Sequence, residues 1–175
     1  MNKGENELDT KQAEKIIKGK RVLIVDDEKD VLDTLVDLLS VCKLDSASSF
    51  EEGKKLLQDH DYDVVVLDIM GVRGFDLLEI ARKRNIPALM LTAHALTEES
   101  LNRSVKEGAS YFAPKDQMEN ITIFLADVVD SIQKNKSPWI RVMERLGGFY
   151  DNRFVGTGWR QKELDDILRK GGRYL

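Results

Sequence analysis

The sequence contains a single cysteine and no long apolar run, and these two absences exclude several classes of protein. Cys42 has no partner in the chain, which excludes an intrachain disulfide and a cysteine-based zinc site. We expect Cys42 to be a small buried hydrophobic residue. No apolar run approaches the roughly 18 residues that a membrane-spanning helix needs, and the polar start MNKGENELD is not a signal peptide. We therefore expect a soluble, cytoplasmic protein.

Charge and aromatic residues are unevenly distributed along the 175 residues. Residues 1–135 carry 18 basic and 26 acidic side chains, whereas residues 136–175 carry 9 basic and 5 acidic ones. The second segment also holds six of the twelve aromatic residues, including both tryptophans. We divide the chain into a charged N-terminal arm (1–19, partly helical), a main domain (20–135) and a short basic and aromatic C-terminal extension (136–175).

Short apolar runs alternate with helical patterns along residues 20–135. The runs RVLIV, VVVL and ALML are continuously apolar, as is typical of parallel strands that are buried on both faces. Weaker strands are predicted at residues 44–47 and near Tyr111. Apolar residues at helical spacing predict five helices between and after these strands. The alternation predicts an α/β fold, a doubly wound five-stranded parallel sheet in the flavodoxin-like order 2-1-3-4-5, flanked by five helices.

Capping residues indicate where several of these helices begin. Ser49 and Glu52 are spaced as a capping box ahead of the second helix, and Thr97 can cap the fourth. Asp116 and Glu119 have the same capping-box spacing ahead of the fifth helix.

Polar side chains follow four of the five predicted strands. Asp26 and Asp27 come directly after the first strand, Asp68 after the third, Thr92 after the fourth and Lys115 after the fifth. The carboxyl ends of parallel strands meet at one edge of a sheet, which is where doubly wound folds bind ligands. We therefore expect three carboxylates, a hydroxyl and an ammonium group to converge there.

Such a cluster suits a divalent cation and one anionic group. Neighbouring carboxylates, with Glu28 directly behind them in the sequence, repel each other and favour a hard cation such as Mg²⁺. An aspartate beside the cation can attack phosphorus and form an acyl phosphate, whose oxygens the metal, lysine and hydroxyl stabilise. No G-x-G-x-x-G follows the first strand and no G-x-x-x-x-G-K-[ST] occurs, which argues against a nucleotide ligand.

These segments resemble the receiver domain of two-component response regulators, the CheY-like family. VLIVDDE resembles the first strand and acidic pair of that family, and VVVLDIM resembles the strand that ends in its phosphorylated aspartate. MLTAHA resembles the hydroxyl-bearing strand, and GASYFAPK the segment with the aromatic switch residue and the lysine. The resemblance covers about residues 20–135.

The resemblance implies a role for each residue of the predicted metal site. Asp68 would be the phosphorylated residue. Asp27 would bind Mg²⁺ directly, Asp26 would bind it through water, and the backbone carbonyl of Met70 would complete the protein ligands.

It also implies which residues transmit and tune the signal. Thr92 would bind a phosphoryl oxygen and swing inward, and Phe112 would follow it from an outward to an inward rotamer. Lys115 would pair with the phosphoryl group. Met70 and His94 occupy positions that tune dephosphorylation in the family, with Met70 shielding the phosphoryl group and His94 either acting as a base or lying exposed on the rim.

Two local departures from the family pattern lie beside the predicted site. The loop DIMGVRG after Asp68 is two residues shorter than the family pattern D-x-x-M-P-x-x-x-G and lacks its proline. The family often has a cis proline after the lysine, whereas here Pro114 precedes Lys115 and Asp116 follows it. A non-proline cis bond costs about 3 kcal/mol, so we expect a trans or distorted link there.

The C-terminal extension has too few apolar residues to form a core of its own. Trp139–Leu146 is predicted to form a short helix that Gly147 and Gly148 end, and residues 161–170 a final helix. We expect the extension to pack on the main domain or on a second subunit, with docking of a partner protein as the alternative. Its basic residues are scattered and it lacks a helix-turn-helix, so we do not expect nucleic-acid binding.

The sequence thus predicts a response regulator without a recognisable output domain. A sensor histidine kinase, a phosphotransfer protein or a small phosphodonor would phosphorylate Asp68 with Mg²⁺. The face formed by the fourth helix, fifth strand and fifth helix would then change its affinity for a downstream protein. A homodimer through this face or the extension is left open, and we do not expect a turnover enzyme.

Three other interpretations were weighed. An interaction-only pseudo-receiver would lack part of the acidic pair, the aspartate or the lysine, all of which are present. A transcriptional or nucleic-acid-binding regulator would act through the basic extension. A haloacid-dehalogenase-type hydrolase would need a second aspartate where Met70 stands.

Overall fold

A five-stranded parallel sheet lies at the centre of the computed structural model, which describes the backbone of residues 3–161 and the side chains of residues 10–160. The strand order is β2-β1-β3-β4-β5 and every neighbouring pair is parallel, as predicted. The strands are β1 (Arg21–Val25), β2 (Lys43–Ala47), β3 (Val64–Leu67), β4 (Ala88–Thr92) and β5 (Tyr111–Pro114).

Helices connect the strands and cover both faces of the sheet. They are α1 (Lys3–Ile17), α2 (Lys29–Leu38), α3 (Phe50–Asp59), α4 (Gly74–Lys83), α5 (Glu98–Lys106), α6 (Ile121–Gln133) and α7 (Trp139–Arg153), with 3₁₀ helices at Lys115–Asn120 and Trp159–Gln161. On one face α2 contacts α6, and on the other α3 contacts α4. Helices on both faces explain why β3, for example, is apolar and buried at every position. None of the described helices is long and apolar enough to cross a membrane.

Two of the predicted helix caps are confirmed. The Oγ of Ser49 accepts a hydrogen bond from the backbone N–H of Glu52 at 3.2 Å. The Oγ1 of Thr97 likewise accepts one from the N–H of Ser100 at 3.1 Å. Each bond satisfies a donor that the first helical turn leaves free.

The predicted capping box of Asp116 and Glu119 is wrong. Both residues lie in the 3₁₀ helix Lys115–Asn120, and α6 begins only at Ile121, where Asn120 makes no side-chain capping bond. Lys115 is held by carboxylates at the sheet edge, as described below, so the chain turns tightly before the longer helix can begin.

The N-terminal arm forms a longer helix than the sequence predicts, and it packs against α6. Ala13 and Ile17 are buried in the core of the main domain. The N–H of Gly19 then donates to the carbonyl of Val41 at 2.8 Å, which ties the end of α1 to the chain ahead of β2. Among the side chains of α1 that the structure describes, residues 10–17, only Ala13 and Ile17 are fully buried, which fits the weak amphipathic spacing in the sequence.

Cys42 is partly rather than fully buried, so its predicted burial holds only in part. Its Sγ donates to the carbonyl of Ile17 at 3.4 Å, and burial raises the pKa of the thiol to about 11. The thiol therefore helps to hold α1 rather than acting as a nucleophile.

The predicted helix end at Gly147 and Gly148 is also wrong, because α7 continues to Arg153. Two glycines inside a helix cost roughly 1 kcal/mol each relative to alanine. Tertiary packing offsets this cost, since Trp139 and Tyr150 at either side of the glycine pair are completely buried. The predicted helix at residues 161–170 lies outside the described residues, except for Gln161 at the end of the second 3₁₀ helix.

The prediction that the extension packs on the main domain is confirmed for α7. The Nε1 of Trp139 donates to the carbonyl of Ala109 at 2.9 Å, and the hydroxyl of Tyr150 donates to that of Phe112 at 2.6 Å. Arg145 of α7 also donates two hydrogen bonds to the carboxylate of Asp127 on α6, at 2.5 and 3.1 Å.

Replacement of Ile17 by alanine tests whether α1 is part of the folded core. We expect Ile17→Ala to lower the free energy of unfolding by about 2–4 kcal/mol, because it removes buried methyl groups and leaves a cavity. Gln12→Ala, on the exposed side of the same helix, should change it by less than about 0.5 kcal/mol. Urea unfolding of the full chain measures both. Equal effects would show that α1 is not docked.

Candidate metal and phosphoryl site

Four carboxylates meet at the carboxyl edge of the sheet. Because β1 and β3 are neighbours with Val25 opposite Leu67, the residues that follow these two strands lie side by side. The structure thereby brings Asp26, Asp27 and Asp68 together, as the sequence predicts. It adds Glu28, and one carboxylate oxygen from each of the four residues lies within 4.8 Å of the others.

Lys115 brings the positive charge into this cluster. Its Nζ lies 2.8 Å from Oδ2 of Asp26, 3.4 Å from Oδ2 of Asp68 and 3.1 Å from Oε1 of Glu28. The lysine, Asp26 and Asp68 side chains are all less than 10% exposed, whereas Glu28 is half exposed. The backbone N–H of Glu28 also donates to Oδ1 of Asp26 at 2.9 Å, which holds the buried carboxylate in place.

The charges of this cluster do not balance, and the pKa values reflect it. The pKa of Asp68 is raised to about 6. Burial is the main cause, the negative charge of Asp26 acts in the same direction, and Lys115 opposes both. Burial lowers the pKa of Lys115, but its hydrogen bonds and charge pairing with Asp26, Asp68 and Glu28 raise it more. Lys115 in turn lowers the pKa of Glu28. One ammonium group thus faces four carboxyl groups.

This excess of negative charge fits a hard divalent cation. All the available side-chain ligand atoms are carboxylate oxygens, the ligand type that Mg²⁺ prefers. The raised pKa of Asp68 shows that its ionised form is costly without a further positive charge. Asp26, Asp27 and Asp68 are the residues that would hold the metal.

The short loop after Asp68 approaches the acidic cluster through two glycines. Gly71 has a positive φ of 83°, and a Cβ on it would lie 2.4 Å from Oδ2 of Asp27. A Cβ on Gly74 would lie 2.1 Å from the carbonyl oxygen of Asp68. The carboxylate of Asp27 therefore lies directly against the loop backbone, in space that only glycine leaves open. The sequence pattern shows the shortened loop, but the role of Gly71 has no sequence signal beyond a glycine in the middle of that loop.

Thr92 and Phe112 lie on the inner side of the site, and both are completely buried. The Oγ1 of Thr92 accepts a hydrogen bond from the backbone N–H of Ala95 at 3.2 Å. The ring of Phe112 lies 5.9 Å from that of Tyr150 on α7. Phe112 is therefore not exposed to solvent, and Tyr150 of α7 packs next to its ring.

The two predicted tuning residues lie at the rim. The side chain of Met70 is 55% exposed, and His94 is exposed as well. The link from Lys115 to Asp116 is trans, as predicted, since the described residues include no cis peptide bond.

The charge imbalance predicts a pH-dependent gain in stability when Asp68 is neutralised. In the folded state its pKa is about 6, above the ordinary value of 3.8, so between these values the folded chain holds a proton that the unfolded chain has lost. Stability therefore falls as pH rises through this range. We expect Asp68→Asn, in EDTA, to raise the free energy of unfolding by about 1–3 kcal/mol at pH 8 and by much less at pH 4.

Urea unfolding at a series of pH values measures this difference. Asp59→Asn, at an exposed position on α3, serves as the control and should have little effect at either pH. A gain for Asp68→Asn that is the same at pH 4 and pH 8 would contradict the raised pKa.

Replacement of Gly71 tests whether the short loop positions the metal ligand. A methyl group at this position would displace the carboxylate of Asp27, so we expect Gly71→Ala to weaken Mg²⁺ binding by about tenfold or more. Isothermal titration calorimetry with Mg²⁺ measures it. Gly156→Ala has a similar positive φ but no atom within 4 Å of its Cβ, and it should leave Mg²⁺ affinity unchanged. Equal affinities for the two variants would contradict the positioning role.

Comparison with known sequences identifies the family of this domain. The family model of the response regulator receiver domain matches residues 22–125. The two-component response regulator ARR18 of Arabidopsis thaliana is 34% identical over 103 residues, which are 55% of this chain and 16% of that protein. Its relative ARR10, also from Arabidopsis thaliana, is 30% identical over 129 residues, which are 68% of this chain and 23% of that protein. The chain thus matches less than a quarter of the length of either relative.

Solved structures agree with the family match. A CheY-like response regulator receiver domain protein from Methanospirillum hungatei JF-1 has a TM-score of 0.56 and 27% identity, and the match covers 66% of this chain and 98% of that one. The receiver domain of the Francisella response regulator 1452 has a TM-score of 0.56 and 26% identity, with 63% and 96% covered. The matched residues 22–125 include the whole carboxylate cluster and Lys115. The chain belongs to the family of response regulator receiver domain proteins.

Proposed function

We propose that this chain receives a phosphoryl group on Asp68 in a Mg²⁺-dependent reaction and signals by changing its affinity for a partner protein. The observation that carries the proposal is the position of Asp68. Its carboxylate is buried at the sheet edge, within 4.8 Å of three other carboxylates and 3.4 Å from the ammonium group of Lys115. That arrangement suits a nucleophile beside a cation and an anion-binding group.

The donor would be a phosphohistidine of a sensor histidine kinase or phosphotransfer protein, or a small molecule such as acetyl phosphate. An oxygen of Asp68 attacks phosphorus, the bond from phosphorus to the donor nitrogen or oxygen breaks, and an acyl phosphate forms. The leaving group takes up a proton from water if it needs one. When bound, Mg²⁺ supplies positive charge that stabilises the phosphoryl oxygens during transfer.

The surrounding side chains support the same transfer. Lys115 lies within 3.4 Å of Asp68 and is shared with Asp26 and Glu28, so its ammonium group can turn from these carboxylates toward a phosphoryl oxygen. Thr92 is the buried hydroxyl of the neighbouring strand. We expect its hydroxyl to bind another phosphoryl oxygen, and Phe112 to move with it.

The surface that would change its affinity is formed by α5, β5 and α6, which are the predicted fourth helix, fifth strand and fifth helix. It lies next to Thr92 and Phe112.

Met70 and His94, at the exposed rim, are expected to set how quickly water reaches the acyl phosphate. Hydrolysis would return the chain to its starting state, so it would act as a switch rather than as a turnover enzyme. A cytoplasmic location is part of the proposal.

The structure offers little support for the alternative of nucleic-acid binding through the extension. Three of its arginines in the described part of the chain are paired with carboxylates rather than forming a free basic surface. These are Arg141 with Glu144, Arg145 with Asp127, and Arg160 with Asp151.

Phosphorylation of the full chain tests the proposal. We expect acetyl phosphate and Mg²⁺ to produce a hydroxylamine-labile phosphate on the wild type, none on Asp68→Ala, and wild-type labelling on Asp59→Ala, an exposed control on α3. Lys115→Ala should be labelled at least tenfold more slowly, and EDTA should abolish labelling. Mass spectrometry measures the added phosphate. A folded wild type that stays unlabelled by acetyl phosphate and by histidine kinases would instead support the pseudo-receiver interpretation.

A further inference from the structure

Helix α7 lies on β5 and α6, which form part of the surface made by α5, β5 and α6. Its Trp139 bonds to the carbonyl of Ala109 just before β5, and its Tyr150 bonds to the carbonyl of Phe112 within β5. All four of these residues are completely buried. The surface through which the chain is proposed to signal is therefore already occupied by a segment of the same chain.

The contact between α7 and α6 involves a buried charge pair. Arg145 forms a bidentate contact with the carboxylate of Asp127. The same carboxylate accepts a hydrogen bond from the hydroxyl of Tyr111 at 2.9 Å. Burial raises the pKa of Asp127, and Arg145 opposes that rise. Removing α7 would leave this carboxylate without its guanidinium partner, so the docked position of α7 is specific rather than a general hydrophobic contact.

A cavity of about 330 Å³ lies between α7 and the carboxyl ends of β4 and β5. Thr92 and Pro114, at the carboxyl ends of β4 and β5, line one side of it. Phe149, Asn152 and Arg153 of α7 line the other. The chain between β4 and α5 contributes as well, through Ala93 and Leu96. Two elements that would move on phosphorylation thus border directly on α7.

Thr92 links the two sides. In the present structure its hydroxyl accepts the N–H of Ala95 and so fixes the turn that carries Leu96. Turning toward a phosphoryl oxygen on Asp68 would take the hydroxyl away from that N–H. The turn would then lose one of its fixing bonds, and the cavity wall that Leu96 lines, together with Phe149, would shift.

We propose that α7 is an internal ligand of the α5–β5–α6 surface and that phosphorylation of Asp68 weakens its docking. The inference rests on the proposed function, and it names what regulates the signalling surface. The docked helix and the unphosphorylated arrangement of Thr92 stabilise each other, and a phosphoryl group favours the other arrangement. A partner protein or a second copy of the chain can reach β5 only when α7 has moved away.

The two tryptophans provide a built-in probe for this movement. Trp139 and Trp159 are the only tryptophans in the sequence, both lie in the extension, and both are buried. We expect beryllofluoride, a mimic of the phosphoryl group, with Mg²⁺ to shift their emission to longer wavelength in the full chain. Amide hydrogen exchange in residues 139–153 should become about fivefold faster or more, while exchange in β1 and β3 stays the same. Asp68→Ala should show neither change.

A substitution in α7 tests the same coupling from the other side. Tyr150→Phe removes the bond to the carbonyl of Phe112 but keeps the ring, so α7 should dock less tightly. Because coupling is reciprocal, this variant should bind beryllofluoride about fivefold more tightly or more. Glu144→Gln, at an exposed position of α7, should bind it like the wild type.

The outcomes separate the two proposals. Beryllofluoride bound to Asp68, seen by ¹⁹F NMR, with unchanged or slower exchange in α7 would overturn the coupling and leave the proposed function standing. Faster exchange in Tyr150→Phe without tighter binding of beryllofluoride would overturn it as well. A wild type that neither binds beryllofluoride nor accepts phosphate would contradict the proposed function and, with it, the coupling that rests on it.

Discussion

The contact of Lys115 with three carboxylates is the interaction on which the site depends. Parallel strands that end at one edge bring Asp26 and Asp68 together, where like charges raise the free energy of the folded chain. Lys115 offsets part of this repulsion but cannot balance it. The remaining negative charge makes the edge a site for a cation. The chain after β5 begins a 3₁₀ helix at this same lysine, and α6 follows it.

The same edge of the sheet connects the site to the rest of the molecule. Thr92 belongs to the candidate phosphoryl site and also lines the cavity next to α7, so the extension lies close to that site. The extension was separated from the main domain in sequence by its basic charge and aromatic content. Those features have a structural purpose here, since Arg145 pairs with the buried Asp127 and the aromatic rings of α7 pack on β5.

Prediction from sequence was most successful where a residue's neighbours lie close by in the chain. It also succeeded where the ends of parallel strands bring the residues that follow them to the same edge of the sheet. The strand order and the grouping of Asp26, Asp27 and Asp68 follow from buried apolar runs and the geometry of parallel sheets. Prediction failed where distant packing overrides local preference. Helix α7 passes through Gly147 and Gly148 because Trp139 and Tyr150 are buried on either side, and no local signal reports that burial.

The sequence by itself determined the fold class, the five strands and which charged residues meet at the carboxyl edge of the sheet, because each depends on residue type along or at the end of a strand. Only the tertiary structure decided that Glu28 shares Lys115, that Asp27 lies against Gly71, and that α1 belongs to the core. It also decided that α7 covers β5. Each of these is a contact between segments far apart in the chain, and its stability depends on the shape and charge of a surface that exists only after the sheet has formed.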